Sequence, residues 1–139
     1  RRPMLWLAKA GDHRATVLCS PNFGYRHLLR AFNAESLAGR DLSAVRILFN
    51  GAEPISAGLC KEFCAKLSPY GLSASSMFPV YGLAEASLAV TFPQPGRGLT
   101  SVSILRDQIE FGDAVESVPA DSPKAVTLVS VGTHRQPRR

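Results

Sequence analysis

Three short turns hold the residues of this chain whose types could do chemistry: SPNFG at 20–24, NGAEP at 50–54 and YGLAE at 81–85. Glu85 offers carboxylate oxygen suited to a divalent cation. Tyr81 offers a ring for stacking, while Gly51 and Gly82 let the backbone come close to a flat ligand. Each turn follows an apolar run, and in open α/β sheets ligands collect outside the carboxyl ends of the strands. That rule puts Asn22, Phe23, Gly51, Ala52, Glu53, Pro54, Tyr81, Gly82 and Glu85 beside one crevice. Purely structural turns carry the same residue types. On that alternative Phe23 is a core aromatic, Glu53 a solvated turn residue, and Asn22 a turn former bonded to its own backbone.

The flanking sequence supplies the elements that must position these turns. Pro3 followed by MLWLAKA opens a short helix, since proline in the first turn loses no helical hydrogen bond. ATVLC at 15–19 is a buried strand, SPNFG a loop, and YRHLLRAF at 25–32 a helix with Leu28, Leu29 and Phe32 on one face. VRILF at 45–49 repeats the strand, and Ser56 caps a helix running to about Leu67, with Leu59, Phe63, Leu67, Cys60 and Cys64 on its buried side. MFPVYG at 77–82 is extended, LAEAS a tight turn, and LAVTF at 88–92 a further strand. Alternating strands and helices predict an α/β fold with a largely parallel, partial sheet. After the Pro/Gly-rich stretch FPQPGRG the pattern changes. SVSILRD, QIEFG and VTLVSVG read as short antiparallel strands, giving an α/β part over about 1–95, a smaller β-rich part over about 96–132, and a frayed tail at 133–139.

Composition narrows the function classes. The 139 residues carry a formal charge of +5, but Arg1, Arg2, Arg135, Arg138 and Arg139 account for the whole excess. A nucleic-acid surface needs basic residues clustered on one face, so no nucleic-acid partner is expected. Cys19, Cys60 and Cys64 lack the further ligands a zinc site requires, and read as reduced thiols of a cytoplasmic protein. No apolar run approaches the roughly 20 residues that span a bilayer, so no membrane span is expected. Arg1 and Arg2 lead straight into an apolar segment without an initiator methionine, and the start reads as cut from something longer.

PNFGYR at 21–26, DLSAVRILFNGAEPIS at 41–56 and FPVYGLAEASLAVTFP at 78–93 together resemble the adenylate-forming, AMP-binding superfamily, in its fatty-acyl-AMP ligase and acyl-CoA synthetase branch. The resemblance runs from about Pro3 to Gly132 and fades after Pro95. It implies a ligase that converts an acyl carboxylate and ATP into acyl-AMP and pyrophosphate, then passes the acyl group to coenzyme A or an acyl carrier protein. It implies that Gly51, Ala52, Glu53 and Pro54 form the wall against the adenine, that Tyr81 stacks on it or on the adjoining sugar, and that Gly82 belongs with them to the nucleotide site. By the same resemblance Glu85 binds Mg²⁺, and Asn22, Phe23 and Gly24 line the acyl tunnel near the reacting fatty-acid carboxylate. The family's phosphate loop, its ribose-binding aspartate, its hinge and its C-terminal lysine have no match here. A fragment of a larger domain, inactive alone, is the expectation; the competing one is a non-catalytic remnant or interaction module with the fold of an adenylation domain.

Overall fold

A computed structural model describes residues 2–108 and 115–134. Three parallel strands in the order β1-β2-β3 make the central sheet: β1 (Val17–Cys19), β2 (Ile47–Asn50) and β3 (Met77–Pro79). Cys19 lies beside Phe49, and Asn50 beside Pro79, so all three strands end at the same edge. The turns at 20–24, 50–54 and 81–85 therefore leave the sheet from one side.

Helix α1 (Met4–Asp12) precedes β1, α2 (Asn22–Arg30) connects β1 towards β2, and α3 (Ala57–Leu67) connects β2 to β3. Alternation along β2 buries Leu48 and Asn50 and leaves Ile47 and Phe49 half-buried. Leu48 and Met77 join Leu7, Tyr25, Leu28, Leu59, Phe63 and Leu67 in the core between sheet and helices. Tyr25 and Phe63 meet edge to face at 4.7 Å, and the Tyr25 hydroxyl donates to the Phe49 carbonyl at 2.6 Å. Burial pushes the Tyr25 phenol far above its ordinary range, so it stays a neutral donor. Ser56 caps α3 by accepting the Leu59 N–H, and Cys60, Phe63, Cys64 and Leu67 lie on the buried side, as the periodicity predicts.

Helix α2 begins three residues earlier than its apolar pattern predicts. Pro21 occupies the capping position in an extended conformation, so Asn22, Phe23 and Gly24 form the first helical turn and not a loop. A Cβ on Gly24 would sit 2.0 Å from the Ser20 hydroxyl, so a side chain there requires that hydroxyl to rotate away. The extended run expected at 88–92 contracts to β4 (Thr91–Phe92). Leu88 takes a left-handed backbone, φ 73°, and its N–H closes onto the Leu83 carbonyl, so pairing starts only beyond it.

The remaining strands are antiparallel. β5 (Ser101–Leu105) pairs with β6 (Ala125–Val129), and β4 pairs with β7 (Thr133–His134). Thr133 and His134 are thus drawn into a strand by the free edge of β4, where fraying is expected from sequence. The strand expected over QIEFG lies, beyond Gln108, outside the described residues. Phe92 packs on Phe49 and Phe78 at 6.5 and 6.3 Å, which ties β4 to the central sheet.

Candidate functional site

The first turn to build is 50–54. Asn50 ends β2 fully buried, and the chain then passes through Ala52, whose φ of 69° is left-handed and costs a non-glycine residue roughly 1–2 kcal/mol. Ala52, Glu53 and Pro54 are exposed along one side of a cleft of about 620 Å³. Val80, Tyr81 and Gly82 continue the same cleft, and Val126, Thr127, Leu128, Val129 and Val131 also line it.

Tyr81 is held by its backbone: its N–H donates to the Thr91 carbonyl, and its carbonyl accepts from the Val90 and Thr91 N–H groups. The residue is 51% exposed and lines the cleft. Gly82 cannot carry a side chain, because a Cβ there would lie 1.5 Å from the Leu88 carbonyl oxygen. At Gly51 the corresponding atom would lie 2.9 Å from the Val80 carbonyl oxygen. Both glycines are therefore required by the approach of one chain segment to another, a different reason from the approach of a ligand.

Glu85 lies in a short 3-10 turn, Ala84–Ala86, closed by the left-handed residue Ser87. It is exposed and forms no ion pair among the described residues, and it does not line the cleft that Tyr81 lines. No group of three or more His, Cys, Asp or Glu side chains clusters as a metal site among the described residues. A single free carboxylate suits Mg²⁺, which keeps most of its waters and is shared with substrate phosphates, better than a cation needing an all-protein cage.

Asn22, Phe23 and Gly24 occupy the start of α2 beside this loop. Phe23 is 71% exposed and, with Arg26, His27 and Arg30, lines a second depression, whose boundary with the first cleft is Glu53 and Pro54. Asn22 points inward. Its amide nitrogen donates to the Pro54 carbonyl, and its oxygen accepts from the Asn50 amide at 3.0 Å and the Ser56 N–H at 3.4 Å. Glu53 reaches back, its Oε1 accepting the Phe23 N–H at 2.8 Å. The three turns thus leave one sheet edge, and Asn22 and Phe23 both border the second depression, Asn22 buried and Phe23 exposed.

Asn50 is the residue that sequence reasoning missed. Its side-chain nitrogen donates to Asn22 and to the Cys60 sulfur at 3.3 Å, while its side-chain oxygen Oδ1 is buried without a partner among the described residues. An orphaned buried acceptor costs about 1–3 kcal/mol. The signal was an asparagine two residues after a buried leucine in a strand, which alternation turns toward the core. The β6 lining was missed because VTLVSVG alternates like any half-buried strand. Burial, with Cys60 adding to it, pushes the Cys64 thiol up to about 11, and burial also raises Cys60. Neither thiol is primed as a nucleophile or metal ligand. A further apolar groove of about 440 Å³, between α3 and 97–99, contains none of the expected site residues.

The chain is 35% identical over 128 residues to the medium-chain-fatty-acid–acyl-carrier-protein ligase JamA of Moorena producens, covering 92% of this chain and 22% of the relative. It is 38% identical to the long-chain-fatty-acid–AMP ligase FadD32 of Mycolicibacterium smegmatis, covering 95% of this chain and 22% of the relative. Its fold superimposes on the fatty acyl-adenylate ligase from L. pneumophila, solved with acyl adenylate and pyrophosphate, with a TM-score of 0.85, 32% identity, and coverage of 95% of this chain and 23% of that one. The chain spans about 22% of the length of these curated relatives. The family model described as "AMP-binding enzyme" matches residues 1–110, and this chain belongs to that family.

Proposed function

We propose that this stretch holds the adenylate in an enzyme that activates an acyl carboxylate, a fatty acid in the first instance, with ATP. The carboxylate oxygen attacks the α-phosphorus, the bond to the β-phosphate bridging oxygen breaks, and pyrophosphate leaves with that electron pair. The acyl group then passes from acyl-AMP to a thiol of coenzyme A or of an acyl carrier protein, and AMP departs. The observation that carries the reading is one cleft, at the carboxyl edge of a parallel sheet, that combines the Ala52–Glu53–Pro54 turn with the half-exposed Tyr81.

In this reading Ala52 and Pro54 give the adenine an apolar wall, Tyr81 stacks on it or on the sugar, Gly51 lets that turn lie against Val80, and Gly82 lets the chain beside Tyr81 lie against Leu88. Glu85 would hold Mg²⁺, which when bound offsets the charge of the phosphates during attack and departure. The exposed Phe23, with Gly24 behind it, borders the path by which the acyl chain reaches the α-phosphate. The free thiols of Cys19, Cys60 and Cys64 suit a cytoplasmic setting. The names of the relatives support fatty acids as the substrate class, and JamA supports an acyl carrier protein as the acceptor.

The test is binding of a non-hydrolysable acyl-adenylate, a fluorescent acyl sulfamoyladenosine, to the 139-residue chain by anisotropy at low micromolar protein. Saturable binding displaced by AMP is expected. No binding, or binding that AMP leaves in place, contradicts the reading.

A further inference from the structure

We propose that Asn22 and Glu53 form a reciprocal clamp that positions the adenylate-facing turn, so that both act through the backbone and neither reads the ligand with its polar atoms. The proposal rests on the function proposed above and assigns these two residues a different task within it.

Asn22 is 7% exposed, and its amide is consumed by the protein. The Pro54 carbonyl can only accept, so the nitrogen of Asn22 must face it and the oxygen must face Asn50. That oxygen also receives the Ser56 N–H, so Asn22 grips the turn on both sides of Ile55. With its oxygen engaged twice and its nitrogen engaged once inside the protein, Asn22 presents no free acceptor to a cation or hydroxyl in the cleft. Orientation then propagates: Asn50 must turn its nitrogen toward Asn22, which leaves its own oxygen orphaned. An orphaned acceptor retained in the core is consistent with a geometry kept for position.

Glu53 closes the loop from the other side. Pro21, at the capping position of α2, provides no side-chain cap, and the second helical residue, Phe23, donates its N–H to Glu53 across 30 residues of sequence. A carboxylate is well suited there, since the first turn of a helix presents unpaired N–H groups and partial positive charge. The side chain of α2 thus holds the backbone of the turn, and the side chain of the turn holds the backbone of α2. Both grips act on residues 53–56, directly after the left-handed Ala52, a conformation that persists only where neighbouring contacts determine it.

The clamp is tested on the full 139-residue chain with Asn22→Asp, Glu53→Ala and Glu53→Gln. Readouts are fluorescent acyl sulfamoyladenosine affinity and hydrogen exchange, by mass spectrometry, of peptides covering 20–26 and 50–56. Glu53 is exposed, so its replacement leaves the core intact even if Asn22→Asp unfolds the chain. Asn22→Asp and Glu53→Ala are expected to weaken the probe about tenfold, the scale of one hydrogen bond with a charged or buried group. Both should speed exchange in the two peptides. Glu53→Gln keeps an acceptor for the Phe23 N–H and should stay within about twofold of the parent in affinity. A Glu53→Gln variant as weak as Glu53→Ala overturns the clamp, because the charge would then be meeting the ligand. So does a folded Asn22→Asp variant that binds like the parent. If the parent chain does not bind the probe, the function proposed above fails while exchange still decides the clamp: faster exchange in Glu53→Ala but not in Glu53→Gln supports it, and equal exchange overturns it.

Discussion

Tyr81 keeps its hydroxyl free of hydrogen bonds among the described residues while its backbone is tied to Thr91, so its contribution to a nucleotide lies in the ring. Tyr81→Phe should therefore bind acyl sulfamoyladenosine almost as the parent does. Tyr81→Ala should lose about 1–3 kcal/mol, the scale of one base stacked on an aromatic side chain. Glu85 separates from this by chemistry. The sulfamoyl probe lacks the pyrophosphate that shares Mg²⁺, so Glu85→Gln should leave its binding unchanged and weaken only the binding of ATP with Mg²⁺. Anisotropy with and without Mg²⁺ on the three variants checks the set; a loss of probe binding in Glu85→Gln would remove the cation role. Residue identities were the most legible layer. Tyr81 lines the cleft while Glu85 lies exposed outside its lining, and a sequence does not show that the Asn22 amide at a helix start bonds to a carbonyl 32 residues away.

At the scale of elements, the strand–turn–helix order and the cap at Ser56 were legible, because apolar periodicity and capping chemistry are local. Helix starts and strand ends were less so. Pro21, extended at the capping position, moved the start of α2 to Asn22, and the left-handed Leu88, whose N–H closes on the Leu83 carbonyl, shortened β4; neither backbone conformation shows in apolar periodicity. The segment from Gly82 to Leu88 is such a case, since the Leu88 carbonyl occupies the space of a Gly82 side chain and the turn between them carries Glu85. Gly82→Ala is expected to displace that turn and abolish Mg²⁺-dependent ATP binding. Gly58, by contrast, lies exposed in the first turn of α3 with nothing within 4 Å of an added Cβ, and Gly58→Ala should raise stability by about 0.5–1 kcal/mol through helix propensity. Urea unfolding of the two variants beside the parent checks the pair. Equal stability of Gly82→Ala and the parent would contradict the packing described.

At the scale of the whole molecule, the cleft is lined from both parts of the chain: by the parallel sheet's exit turns, and by β6 and Val131, over 40 residues later. That pairing was not legible, because the alternation of β6 announces a strand and says nothing of what its apolar face meets. Val17, Phe92, Val102 and Leu128 are exposed on the sheets, which favours low micromolar concentrations for every binding measurement. No helix among the described residues is long and apolar enough to cross a membrane. Apart from the depression beside Phe23, two apolar grooves can take a ligand, and on the proposed function the adenylate takes the one beside Tyr81 and not the one between α3 and 97–99. Hydrogen exchange of the 139-residue chain, with and without saturating acyl sulfamoyladenosine, reads this directly. Slower exchange in peptides covering 50–56, 79–83 and 126–131, with 60–68 and 97–99 unchanged, is the expected result; protection confined to 60–68 and 97–99, or absent throughout, would contradict the site.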